Sequence, residues 1–192
     1  GFRYLYLQQQ LRSQEQAELT ARIQALQSRI RPHFLFNSMN IIASLIAVEP
    51  DTAERVVEDL SLLFRASLNE STNKPVTLTE EISLCERYIR IEGLRLGDRL
   101  NVDWQVDVDT ETIKIPMLTL QPLLENAIYH GIQPLPEGGT VKVELQLASG
   151  RFQIRVTNPV AMESHRHEEG NKMAVDNIRH RLRAIYGTAS DI

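Results

Sequence analysis

The chain is poor in cysteine, in long apolar runs and in charge of one sign, and each shortage removes a class of protein. A single cysteine, Cys85, excludes a disulfide framework and fits a reducing compartment. It lies in a helix-patterned stretch and reads as a small core residue. No apolar run approaches the roughly 18 residues of a membrane span, and no signal-peptide pattern opens the chain. The net charge of −4 carries no global signature of nucleic-acid binding. There is no internal repeat. What is present is a 42% apolar content over 192 residues, enough for one large core or two small ones. The opening Gly1-Phe2-Arg3-Tyr4-Leu5-Tyr6-Leu7 lacks an initiator methionine and is apolar and aromatic. It predicts a piece of a longer protein, following the cytoplasmic end of a membrane helix.

Leu19, Ile23, Leu26 and Ile30 repeat at heptad spacing, the seam of a paired helix. The pattern predicts one long helix from about Gln8 to Val48, kinked at Pro32 by the missing backbone donor. Glu49-Pro50-Asp51-Thr52 reads as a turn, with Asp51 or Thr52 capping a second helix that carries Val56, Leu60, Leu63 and Ser67. Two such helices make an antiparallel hairpin whose stripes need covering, and a second copy completing a four-helix bundle is the natural solution. Leu60 and Leu63, with the upstream stripe, are the expected dimer contacts.

The polar stretch from Asn69 to Pro75 is the best boundary, dividing residues 1–72 from 73–192. Thr77-Leu78-Thr79-Glu80 is a capping-box pattern for a helix running to about Leu96, stopped by Gly97-Asp98. Leu100, Val102, Trp104, Val106 and Val108 then alternate as a strand. Pro116 is expected to open a helix with Leu120, Leu123, Leu124, Ala127 and Ile128, closed by Gly131. Val141 to Leu147 and Phe152 to Val156 alternate about Ser149-Gly150, a β-hairpin. A last helix holds Val175, Ile178, Leu182 and Ile185. The second half is therefore α+β, helices on one face of a sheet.

Two segments carry chemistry. In Arg31-Pro32-His33-Phe34-Leu35-Phe36-Asn37, an imidazole stands behind a proline where it is able to act as a nucleophile, with Asn37 one turn on along the same face. Taken alone, a half-buried interface histidine is an equal reading. In Glu125-Asn126-Ala127-Ile128-Tyr129-His130-Gly131, the Asn126 amide can lend an oxygen to Mg²⁺, which takes few protein ligands besides substrate phosphates, and His130 can meet phosphate oxygens. Alone, this is an ordinary polar helix edge. His165-Arg166-His167-Glu168-Glu169 lacks the further fixed ligands of a metal site and reads as a lid. The basic run Arg179-His180-Arg181 with Arg183 reads as a charged outer face.

Together the segments resemble the LytS/YehU-type sensor histidine kinases from about Ala21 to Gly187. The likeness runs through Pro32 to Asn37, Thr79-Glu80-Glu81-Ile82 with Tyr88, Glu92 and Arg95, Leu120 to Ala127 with His130-Gly131, and Asn177 to Leu182 with Tyr186-Gly187. It implies a dimerisation and phosphoacceptor hairpin followed by a GHKL (Bergerat) ATP-binding α/β sandwich, with closing strands beyond Ile192. It also implies the cytoplasmic portion of an inner-membrane protein whose membrane domain lies N-terminal. His33 would accept the γ-phosphoryl group of ATP and pass it to an aspartate of a LytTR-type response regulator, with no direct nucleic-acid contact. Asn37 would position the histidine or serve a phosphatase step. Asn126 would hold Mg²⁺, with Glu125, His130, Asn158, Gly170, Lys172 and Asn177 completing the nucleotide site.

The chain departs from that pattern at both glycine boxes. Asn158 stands for the adenine-reading aspartate, in Thr157-Asn158-Pro159-Val160, without the glycines that permit close backbone approach. Gly170-Asn171-Lys172-Met173-Ala174 keeps only the first glycine of a phosphate-cradling loop, where Lys172 offers a point charge. Phe34 replaces the acidic neighbour that many histidine kinases use as a base. These departures predict weakened ATP binding and leave a second reading open. That alternative is a scaffold that binds the response regulator and accepts or removes phosphate at His33 without using ATP.

Overall fold

Proline sets where both helices of the hairpin begin. The computed structural model describes residues 31–68 and 74–160, and helix α1 spans Pro32–Leu45 with Pro32 in its first turn. Arg31 before it is extended, with φ −63° and ψ 120°, as the ring of a following proline demands. The expected kink is therefore corrected: Pro32 starts a helix, at a position whose N–H would have no partner anyway. Helix α2 spans Pro50–Leu68 and begins by the same device. The Glu49 carbonyl accepts from the Thr52 and Ala53 amides, and its carboxylate accepts from the Thr52 hydroxyl at 3.0 Å. The cap is thus Glu49, not Asp51 or Thr52, because Pro50 already supplies the first helical residue.

Ala53, Val56, Asp59, Leu60, Leu63, Ala66 and Ser67 form the buried side of α2. Leu60 and Leu63 are only 4% and 2% exposed, inside one chain. The expectation that they face a second copy is corrected: the stripe is covered by the chain's own core. The coiled-coil stripe Leu19 to Ile30 and the last helix around Val175 to Ile185 lie outside the described residues.

Strand β1 (Pro75–Thr77) pairs antiparallel with β3 (Lys114–Pro116). Helix α3 (Leu78–Leu96) follows, opened by the capping box. The Thr77 amide donates to Glu80 Oε2 at 2.8 Å and the Glu80 amide to Thr77 Oγ1 at 3.2 Å. Gly97, at φ +57°, ends it in the left-handed region that glycine tolerates. Strand β2 (Leu100–Asp107) runs parallel to β4 (Gly139–Ala148), which pairs antiparallel with β5 (Arg151–Thr157), in the order β2-β4-β5. Ser149 and Gly150, with φ of 53° and 75°, make the two-residue hairpin turn whose twist suits antiparallel strands.

Helix α4 spans Leu120–Ala127 and widens into a π turn over Ile128–Ile132. This corrects two expectations: Pro116 ends β3 rather than opening the helix, and Gly131 lies within the π turn rather than closing an α-helix. The start of α4 is set by a distant residue. Glu81 of α3, fully buried, accepts from the amides of Leu118, Thr119 and Leu120, the first of which has φ +60°. Its carboxyl group takes up donors that a helix N-terminus leaves open.

Leu78, Cys85, Tyr88 and Ile91 of α3, Leu120, Leu124 and Ile128 of the α4 segment, and Val141, Val143 and Leu145 of β4 form one buried core. Lys142, Glu144 and Gln146 alternate with these strand residues and are less buried. The second half is therefore helices on one face of a sheet, as the alternation predicts. Cys85 is fully buried, and burial pushes its thiol well above the ordinary range, the inert state expected of a core cysteine. None of the described helices is long and apolar enough to cross a membrane.

Candidate functional site

Phe34 decides where its neighbour points. It is 6% exposed, and its ring lies 4.9 Å from that of Tyr88 on α3. With Phe34 pinned inward, the adjacent His33 is left exposed at the start of α1, facing the α4 segment. The His33 ring stands edge-on to Tyr129, with centroids 5.8 Å apart and planes at 82°.

Two side-chain amides converge on one imidazole nitrogen. Asn37 Nδ2 lies 3.1 Å from His33 Nε2, as the one-turn spacing predicts, and Gln133 Nε2 lies 3.4 Å from the same atom. With both amides donating, Nε2 presents its lone pair and the proton resides on Nδ1. Gln133 is itself held: Arg95 Nη2 donates to its Oε1 at 3.5 Å, and Arg99 to its carbonyl at 3.0 Å. Arg95 in turn is paired with Glu92, whose carboxylate is buried. These contacts give Glu92 and Arg95 a physical role that the sequence alone did not supply.

The second convergence is on α4. Arg31 Nε pairs with Glu125 Oε1 at 2.7 Å, its Nη2 donates to Asn126 Oδ1, and its guanidinium lies 4.5 Å from the Tyr129 ring centroid, within cation–π range. Asn126 is 5% exposed, and its amide nitrogen is buried with no hydrogen-bond partner among the described residues, a group that demands an explanation. Burial pushes the Glu125 carboxyl above its ordinary range and nearby Glu92 adds to this, while the Arg31 charge pulls it partly back. Burial, with Glu125 and Glu92 close by, likewise pushes the Tyr88 phenol well up.

His130 is half-buried, its ring 4.9 Å from that of Tyr129 and nearly perpendicular to it. Asn158 directly follows β5 and packs against this segment at Gly131. Its amide donates to the Pro159 carbonyl at 2.8 Å, and its side chain lies over Gly131 so closely that a β-carbon there would meet it at 2.4–2.7 Å. The structure thus brings His33, Asn37, Glu125 and Asn126 into one neighbourhood, with His130 further along the same segment and Asn158 packed on its Gly131. Gly170, Lys172 and Asn177 lie outside the described residues. Among the described residues no three His, Cys, Asp or Glu side chains group as a metal site. The residues that sequence reasoning missed are Arg31, Tyr129 and Gln133. Arg31 and Tyr129 lie within the two chemical segments and Gln133 two residues beyond the second, and only that position in the chain hinted at a role.

Known proteins resemble this chain in sequence. The histidine kinase family model matches residues 21–100. The sensor histidine kinase YpdA of Escherichia coli (strain K12) is 37% identical over 175 residues, which is 87% of this chain and 31% of that protein. The sensor protein LytS of Streptococcus agalactiae serotype V is 31% identical over 191 residues, 93% of this chain and 33% of that protein. The chain therefore spans about a third of the length of these relatives. A solved histidine kinase domain, from the blue-light activated kinase of Erythrobacter litoralis EL346, aligns over 87% of this chain and 82% of its own at 19% identity and a TM-score of 0.37, too low to bear on the arrangement. With a histidine kinase match across the hairpin and named sensor kinases alike over nearly all of its residues, the chain belongs to the histidine kinases, among the LytS-type sensors.

Proposed function

We propose that this chain is the phosphoacceptor and ATP-binding part of a two-component sensor kinase. In this reading residues 1–72 form the dimerising hairpin and 73–192 a GHKL-type ATP-binding domain. His33 takes the γ-phosphoryl group of ATP and passes it to an aspartate of a LytTR-type response regulator. The chain works as a homodimer, as the cytoplasmic portion of an inner-membrane protein. The observation that carries the proposal is the exposed His33 held against the Glu125–Gln133 segment of its own chain by Tyr129 and Gln133.

Phosphoryl transfer asks the protein for in-line placement and charge stabilisation more than for covalent machinery. His33 Nε2 is the attacking atom. Its lone pair forms the N–P bond as the bond from phosphorus to the β–γ bridging oxygen breaks and ADP leaves, and the Nδ1 proton then passes to solvent. Asn37 and Gln133 orient the ring, but their donors occupy that same lone pair, so they must part from it before attack. The arrangement described is thus a resting one.

The residues on α4 fit a bound cation. Asn126 Oδ1 already accepts from one, the Arg31 guanidinium, beside the Glu125 carboxylate. When bound, Mg²⁺ neutralises charge on the transferring phosphates. Asn126 would hold it, with His130 meeting a phosphate oxygen. Labelling with [γ-³²P]ATP tests the proposal: acid-labile, base-stable label is expected on the parent and absent from His33→Gln. Label persisting in that variant would place the acceptor elsewhere.

One observation favours the scaffold reading. Asn158, in the place of the adenine-reading aspartate, carries no charge, and its Nδ2 donates to the neighbouring Pro159 carbonyl at 2.8 Å. We expect weak Mg²⁺·ATP binding that Asn126→Ala removes and that Asn158→Asp with Lys172→Gly and Ala174→Gly tightens, measured by calorimetry. Absence of binding in both the parent and the restored protein would leave the scaffold as the function.

A further inference from the structure

We propose that Arg31 is a gate that couples metal–nucleotide binding to release of the phosphoacceptor helix. The inference rests on the nucleotide site proposed above. In the described state the Arg31 guanidinium holds the Asn126 oxygen that a metal ion would need, while pairing with Glu125 at 2.7 Å and covering Tyr129 at 4.5 Å. One amide oxygen cannot serve a guanidinium and a divalent cation together, because two cations at contact distance repel and the Asn126 carbonyl dipole points to only one of them. Arg31 and Mg²⁺·nucleotide therefore exclude each other.

The consequence reaches His33 through two residues of backbone. The Arg31 carbonyl accepts from the amides of Phe34 and Leu35 at 3.0 and 3.3 Å, closing the first turn of α1, so displacing Arg31 loosens that turn. The remaining anchor is Phe34 against Tyr88, about which the start of α1 pivots. The same movement draws His33 away from Gln133, which leaves Asn37 on the same helix as the remaining donor to Nε2. By linkage the coupling is reciprocal: whatever docks α1 weakens nucleotide binding, and nucleotide loosens α1.

Calorimetric titration of Mg²⁺·ADP into the parent and Arg31→Gln tests the gate, with ADP chosen so that no phosphate is transferred. Arg31→Gln should bind about tenfold tighter, within the usual range of coupling between sites. Arg31→Lys, which keeps the charge and loses the fork, should fall between. Hydrogen exchange at the Phe34 and Leu35 amides gives a readout independent of affinity. It should speed up in the parent on adding Mg²⁺·ADP, and in Arg31→Gln be fast without it. Equal, measurable affinities, or slower exchange in the parent on adding nucleotide, overturn the gate alone. No binding in either the parent or Arg31→Gln, or binding that survives unchanged in Asn126→Ala, overturns the nucleotide site beneath it, and the gate with it.

Discussion

Glu81 shows how much of the site depends on one residue remote from it. Its carboxyl group, fully buried, organises the three amides that lead into α4, and α4 carries Glu125 and Asn126. Truncation to alanine strands these donors in the core. We expect Glu81→Ala to lose about 3 kcal/mol or more of stability in urea denaturation, since each buried donor left unpaired costs about 1–3 kcal/mol. Glu81→Gln, which keeps an acceptor oxygen, should lose less. Gly131 makes the opposite demand, for emptiness. Gly131→Ala forces the Asn158 side chain off the π turn and should cost about 1–3 kcal/mol, the usual range for overpacking. Asn158→Ala introduced alongside should recover much of it. Additive losses in that double variant would show that the two side chains do not compete for the space.

At the scale of elements, what matters is how the hairpin is fixed to the sheet-and-helix half. Phe34 on Tyr88 is one fastening. Another, besides the Arg31 and His33 contacts, is Asp59 of α2, which accepts from Arg87 and Arg90 of α3 at 2.7–3.0 Å. Burial alone would raise the Asp59 carboxyl, but the hydrogen bonds and charges of Arg90 and Arg87 outweigh it and hold it below its ordinary value of 3.8. A carboxyl depressed by folding stabilises the native state above the unfolded pKa, and that contribution is lost as pH falls through the folded value. Glu125 has the opposite sign. Its carboxyl is raised in the fold, so its favourable contribution is present at low pH and is lost as pH rises through the folded value. We expect Asp59→Asn to cost about 1–2 kcal/mol at pH 7, discounted because the Arg90 side chain is 57% exposed and screened by water. The gap to the parent should close in urea melts below about pH 4. A gap unchanged at pH 3 would mean that the pair contributes nothing through its charge.

On the whole molecule, most of the exposed large apolar side chains among the described residues lie on the hairpin: Phe36, Met39, Ile46, Val48, Val57, Leu62 and Leu68 are 36–72% exposed, with Leu94, Val106, Leu147 and Val160 elsewhere. A homodimer formed through the hairpin would bury such positions, in place of Leu60 and Leu63, which the chain's own core has taken. We expect the parent to sediment as a dimer at tens of micromolar. Phe36→Glu with Met39→Glu should shift it toward monomer without lowering its thermal midpoint by more than a few degrees, because both positions already face water. A parent that stays monomeric at that concentration would remove the dimer from the proposed function.

Much of this protein is legible in its sequence because it depends on local chemistry. The capping box at Thr77 and Glu80, the glycine stop at Gly97, the Ser149-Gly150 turn and the alternation of the strands each follow from residues a few positions apart, where sterics and short hydrogen bonds decide. The motifs around His33 and Asn126 are readable for a different reason, their joint resemblance to a family, since each alone also reads as an ordinary helix residue. Boundaries are misread where a distant residue rules: α4 starts at Leu120 because Glu81, far away in the chain, gathers its first amides, and no local propensity encodes that. Pro32 is ambiguous for a related cause, since a proline breaks a helix or begins one according to what precedes it. Which neighbours share a site is decided by tertiary packing alone. Burying Phe34 against Tyr88 turns Arg31 onto Asn126 and brings His33 to Gln133, contacts across 95 and 100 residues of chain that depend on a shared core rather than on any spacing in the sequence.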